Sequence, residues 1–131
     1  MEKDFIKVGA RLYWNDPAHE TSGVVEVYKV ELPLEEDSII LVGNGHSEAE
    51  VTPCELTRTL RDIAKEIRSD WKKVYFGAVP YLEAMETLDG MDDNYYFDSA
   101  DIIVRYFLAN AGTWRGDVAR RVKKELNSML R

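Results

Sequence analysis

The spacing of apolar residues changes once along this 131-residue chain, just after Glu55, and that change divides it into two kinds of structure. Before it, short runs rich in Val, Ile and Tyr are punctuated by turn residues, and no helical period competes. Residues 7–14 form a first run that stops at Asn15-Asp16-Pro17, where Asn and Asp tolerate turn geometry and Pro cannot donate to a sheet ladder. Residues 22–30 form a second. Strand alternation puts its Val25 and Val27 on one face and Val24, Glu26, Tyr28 and Val30 on the other, with Lys29 ambiguous at the end. Residues 38–42 and 47–51 flank Gly43-Asn44-Gly45, a hairpin signal because Asn-Gly favours the positive φ that tight hairpin turns require. Four or five short strands within about fifty residues suit a closed or partly closed barrel, since closure removes aggregation-prone edges.

From Thr57 the period is near 3.6. Leu60, Ile63, Ala64, Ile67 and Trp71 make one stripe of an amphipathic helix whose other face carries Arg58, Arg61, Asp62, Lys65, Glu66 and Arg68. The segment from Val74 to Gly77 breaks the pattern. Pro80 suits the first turn of a second helix with Leu82, Met85 and Leu88 inward, ended by Gly90. Asp98 and Asp101 form a weak capping box for a third helix. Ile102, Ile103, Val104, Tyr106, Phe107, Leu108, Ala109 and Ala111 surround most of that helix, which predicts a buried central element containing both Tyr106 and Phe107. Gly112 as C′ and Thr113 as N-cap predict a last helix from Trp114, with Val118, Val122, Leu126, Met129 and Leu130 inward. The expected class is therefore α+β: a small β-barrel over residues 1–56, then a bundle of about four helices over residues 57–131.

The string Val8-Gly9-Ala10-Arg11-Leu12-Tyr13-Trp14, the loop to Ser22-Gly23, the strand around Ile39 to Val42 and the closing Val51-Thr52-Pro53-Cys54-Glu55-Leu56 resemble an SH3-like barrel of the Tudor or KOW type over residues 5–56. The resemblance implies a module that binds peptides, modified side chains or nucleic acid, and it does not imply catalysis. It draws attention to Tyr13, Trp14 and Tyr28 as candidates for an aromatic cage around a cation. Adjacent Tyr13 and Trp14 point to opposite faces of a strand, so core packing competes with the cage. The C-terminal half resembles the small uncharacterised proteins carried by bacteria and their mobile elements, a likeness that implies no function.

Charge is blocked along the chain, whose formal net charge is −7. Residues 1–56 carry 4 Lys/Arg against 12 Asp/Glu, and residues 57–131 carry 13 against 12. Within the second half, residues 57–73 are net +3, residues 74–114 net −6 and residues 115–131 net +4. A basic end segment so close to an acidic one can be matched inside the molecule or can face a partner. Arg115, Arg120, Arg121 and Lys124, with Trp114, are the candidate contacts of that segment.

Motifs for chemistry are scarce. His19, His46 and Cys54 are scattered in the strand-rich half rather than paired at zinc-ligand spacing, and Asp89-Gly90-Met91-Asp92-Asp93-Asn94 fails the EF-hand pattern of alternate oxygen ligands. There is no nucleophile elbow, Gly-rich phosphate loop or HExxH helix. The expectation is a non-catalytic protein with neither metal nor cofactor. With a single cysteine, no apolar run of signal-peptide length after Met1-Glu2-Lys3-Asp4 and no segment of ~20 apolar residues, a cytoplasmic location away from the membrane is expected. Two partner classes remain: an adaptor that binds protein, and a nucleic-acid-binding protein in which the helices flanking Gly112-Thr113 form a helix-turn-helix with Trp114 to Lys124 as recognition helix. Net acidity works against the phosphate attraction that dominates the second, so the adaptor is preferred. Nothing in the sequence sets an oligomeric state.

Overall fold

The computed structural model describes residues 3–131, which divide into two compact units, one ending at Thr59 and the other spanning Leu60–Arg131. The architecture is α+β, strands first and helices after.

The first unit holds β1 (Arg11–Trp14), β2 (Gly23–Lys29), β3 (Ile40–Gly43), β4 (Glu48–Val51) and β5 (Leu56–Thr57), with one turn of 3-10 helix at Pro53–Glu55. All pairings are antiparallel and the strand order is β4-β3-β2-β1-β5. The sheet is not closed into a barrel: β4 and β5 are its two ends. It also runs one residue past the boundary drawn from periodicity, because Thr57 pairs with Tyr13. One face buries Leu12, Val25, Val27, Ile40, Val42, Val51 and Leu56, joined by Ile6. This is the face that alternation predicts for Val25 and Val27. The first strand is shorter than its apolar run. Gly9 has a φ of +88°, which β-branched or bulky residues avoid, and the Ala10 N–H donates to the Lys7 carbonyl in a turn that precedes β1. In the β3–β4 hairpin it is Gly45 that takes the positive φ, while the Asn44 side chain accepts from the N–H groups of His46 and Ser47.

The second unit holds α1 (Leu60–Asp70), α2 (Val79–Met85), a hairpin of β6 (Asn94–Tyr95) and β7 (Asp98–Ser99), α3 (Ala100–Ala109) and α4 (Asp117–Met129). The α1 stripe is buried as read, and Trp71 continues it with its N–H on the Ile67 carbonyl. Trp71 meets Phe107 edge-on, at 6.2 Å between centroids, and stacks on Trp114 at 5.8 Å.

Three local expectations are corrected. The N-cap of α3 is Ser99, whose hydroxyl accepts from the Ile102 N–H, rather than Asp98: both residues belong to β7, and Ser99 is the one directly before the helix. α3 is not buried all round: Phe107 is 0 % exposed but Tyr106 is 53 % exposed, and Ile102 also faces outward. Ala100, Ile103, Val104 and Phe107 already fill the inward stripe, which leaves Ile102 and Tyr106 on the other side. Finally, α4 begins at Asp117, not Trp114, and residues 110–116 connect it to α3. Trp114 is drawn into the core, and Gly116, at a φ of +114°, turns the chain into the helix.

Candidate interaction surface

The three barrel aromatics are not brought together. In β1, Leu12 and Trp14 lean on the apolar core, while Tyr13 is buried on the opposite face, where it pairs with Val24 of β2. Tyr28 shares that outer face four residues further along β2, roughly 14 Å away at a strand rise of about 3.4 Å per residue. Its ring lies over Gly43, and its hydroxyl accepts from the Gly45 N–H at 3.0 Å. A shallow, mainly polar depression there is lined by Arg11, Glu26, Tyr28 and Asn44. Trp14, on the other face, points its indole N–H at the Glu55 carboxylate, at 3.4 Å.

The first unit also contains a loop organised by one carboxylate. Asp16 accepts from the N–H groups of Ala18, Glu20 and Thr21 and from the Thr21 hydroxyl. These donors, the Ala18 and Thr21 amides foremost, hold its pKa down at about 2. This is a structural role: all of the donors belong to the turn that the carboxylate closes.

The basic residues of the C-terminal segment are divided. Arg120 pairs with Asp117 one turn earlier, and Arg121 pairs with Glu66 on α1. Lys123 donates to the Trp114 carbonyl at 2.6 Å and lies 5.8 Å from the centre of that indole; burial, and then the charge of Arg115, lower its pKa. Arg115 and Lys124 are exposed. Trp114 is buried, and its N–H donates to Asp70 at 2.8 Å. A helix running from Trp114 to Lys124 is therefore replaced by a core tryptophan, a turn and a helix whose first arginines face carboxylates.

What sequence reasoning missed is a set of exposed large side chains on α3 and beside its two ends. Ile102 and Tyr106, one turn apart, share the outer side of α3. Tyr106 packs on Tyr81 of α2 with ring centroids 5.4 Å apart. At the C-terminal end of α3, Asn110 donates to the Tyr106 carbonyl and its amide oxygen lies over Gly77, beside the Tyr75 ring. A Cβ at Gly77 would fall 2.6 Å from that ring and 2.8 Å from the Asn110 oxygen, so only glycine lets the two close in. Tyr75 in turn meets Phe76, which is 80 % exposed. At the N-terminal end of α3, the β6–β7 hairpin turns at Tyr96 and Phe97, both almost wholly exposed, with Tyr96 at a φ of 57°. Scattered single apolar residues are ordinary on a protein surface; Tyr75, Phe76, Tyr96, Phe97, Ile102 and Tyr106 all exposed in one small unit are more than that.

Among the described residues, no group of three or more His, Cys, Asp or Glu side chains is placed to hold a metal ion, and no helix is long and apolar enough to cross a membrane. In the Asp89-to-Asn94 loop, Asp93 accepts from the N–H groups of Asp89 and Gly90, and Met91 is buried. No protein family, curated protein or solved structure matches the chain.

Proposed function

We propose that this chain is a non-catalytic adaptor that works by binding protein, with the outer side of α3 and the neighbouring β6–β7 hairpin as its contact surface. The observation that carries the reading is the exposure of Phe76, Phe97 and Tyr106 in a unit that otherwise buries its apolar residues well. Tyr and Phe are the residue types that protein interfaces favour, because a rigid ring covers much area at little entropic cost. The strand-rich unit fits an SH3-like module. Its first strand lies between the second and the fifth, so a short sheet wraps one apolar core with its ends left open. A cytoplasmic setting suits its single, exposed Cys54.

The nucleic-acid alternative rests on the last helix. Pairing of Arg120 with Asp117 and of Arg121 with Glu66 favours the protein reading, since both cations already have an anion beside them.

The test is capture from an extract of the native host with the wild-type chain and with a Phe97→Ser/Tyr106→Ser double variant, analysing protein and nucleic acid together. Proteins retained by the wild type and lost with the variant are expected. Retention of nucleic acid, released by moderate salt and indifferent to the two substitutions, would replace the adaptor reading with the alternative.

A further inference from the structure

The two ends of the five-stranded sheet differ. At β5, the Lys3 ammonium donates to the carbonyls of Pro53 and Leu56, both at 2.8 Å. At β4 no strand pairs with the outer edge, and Glu48 and Glu50 are exposed. Register decides which backbone groups point out there. The Asn44 N–H donates to the Ser47 carbonyl at the turn, so hydrogen-bonded pairs recur at Val42 with Ala49 and at Ile40 with Val51, and Glu48 and Glu50 fall at the pairs between. The N–H and C=O groups of both glutamates therefore point away from β3, along about 7 Å of strand. Their side chains share a face. Val51 lies in the core and Ala49 packs against it, which puts both carboxylates on the outer face of the sheet. Neither is in an ion pair among the described residues, and Lys29, in register with Leu41 and Glu50, forms none with them.

A strand added at this edge meets three demands. It has to offer backbone donors and acceptors to Glu48 and Glu50, as an extended segment does. Directly opposite two unmatched carboxylates it has to avoid acid, and it gains most from Lys or Arg at alternate positions. Between those positions its side chain falls on the core side beside Ala49, where an apolar residue continues the buried face. A second copy of β4 fails the middle demand, because glutamate would face glutamate. We infer that β4 docks an extended segment of a partner protein, antiparallel like every pairing in this sheet, in which Lys or Arg alternate with apolar residues. The surrounding charge agrees: residues 1–56 hold 4 Lys/Arg against 12 Asp/Glu. The edge belongs to the strand-rich unit and goes beyond the α3 surface proposed above, which lies in the other unit.

The probe is a capped synthetic peptide, Lys-Val-Lys-Val-Lys, titrated into the intact chain and followed by amide NMR. Binding with a Kd of at most about 1 mM is expected, with the Glu48 and Glu50 amides shifted and slowed in hydrogen exchange. Antiparallel pairing aims the backbone N–H groups of the lysines at the edge and those of the valines away from it. Methylating the backbone nitrogens of the lysines should therefore weaken binding at least about tenfold, while methylating those of the valines should change it little. Glu48→Lys/Glu50→Lys should weaken binding of the same peptide at least about tenfold and take up Glu-Val-Glu-Val-Glu instead. Both positions are exposed, so circular dichroism of this variant should match the wild type.

No binding up to about 1 mM peptide overturns the inference. So does binding indifferent to backbone methylation, which charge alone would explain, and so does binding lost on methylating the valines but not the lysines. A charge-reversed variant that still holds the lysine peptide as well as the wild type does overturns it too. Failure here is distinguishable from failure of the adaptor reading: Phe97→Ser/Tyr106→Ser should leave peptide binding unchanged, and captured proteins that depend on those two rings would survive the loss of the β4 edge as a site.

Discussion

Trp114 stacks almost parallel on Trp71, with ring centroids 5.8 Å apart and planes 11° from parallel, while its indole N–H donates to Asp70 at 2.8 Å. This pair joins the segment after α1 to the connection between α3 and α4, and it explains why α4 starts three residues later than local signals suggest. A buried tryptophan contributes more than one further helical turn would, because it removes a large apolar area from water while keeping its polar N–H partnered.

Replacing Trp114 with Ala should therefore destabilise the helical unit by about 3–5 kcal/mol, and Trp114→Phe by less, since a ring still fills most of the space. Denaturant unfolding followed by far-ultraviolet circular dichroism measures both. A cost near zero for Trp114→Ala would return Trp114 to the surface and restore it as a candidate partner contact.

Neighbours on α3 should behave oppositely. Phe107→Ala should cost about 3–5 kcal/mol, because the side chain is wholly buried in the apolar core of the helical unit, edge-on to Trp71. Tyr106→Ala should cost at most about 1 kcal/mol, the worth of its contact with the Tyr81 ring, because half of it already faces water. The same unfolding experiment, run on the pair, separates a stabilising residue from one retained for contact with something else. Equal costs would mean that Tyr106 is a core residue after all.

Gly43 should not tolerate a side chain. A Cβ there would lie 2.4 Å from the Tyr28 ring and 2.8 Å from the Ser47 carbonyl. Gly43→Ala is expected to destabilise the strand-rich unit by about 1–3 kcal/mol, as overpacking generally does. Adding Tyr28→Ala should recover only part of this, because the Ser47 backbone cannot move as freely as a ring. Full recovery in the double variant would show that the ring alone sets the constraint.

The Asp16 loop should weaken in acid. Its carboxylate has a folded-state pKa of about 2, below the ordinary range, so its contribution is complete above the unfolded-state pKa near 4 and is lost as pH falls through about 2. Hydrogen exchange at the Ala18, Glu20 and Thr21 amides is the measurement. Protection should exceed that of an Asp16→Asn variant at pH 5, and the difference should shrink as the pH is lowered toward 2. Amides equally protected in both proteins at pH 5 would mean that the turn does not depend on the charge.

Much of the fold was legible because the physics behind it is local. The alternation of Val25 and Val27 against Glu26 and Tyr28, the Asn44-Gly45 turn, the Leu60-to-Trp71 stripe and Pro80 opening α2 each follow from one residue's geometry or one element's period. The pieces that differed were settled by competition between elements. Ser99 caps α3 because the β6–β7 hairpin, a pairing too short to leave a periodic signal, ends on it directly before the helix. Trp114 leaves its helix because Trp71 and Asp70, over forty residues earlier, offer it both a ring and an acceptor. The candidate surface lay hidden for a related reason. Apolar residues on every side of a helix predict burial only if enough structure surrounds it, and here Ala100, Ile103, Val104 and Phe107 fill the buried stripe of α3 while Ile102 and Tyr106 stay largely exposed. Sequence alone therefore determined the two classes of structure, their order and most core residues. Only the tertiary structure decided which of two apolar faces of α3 lies inside, because that choice depends on how many neighbours the chain can bring to it.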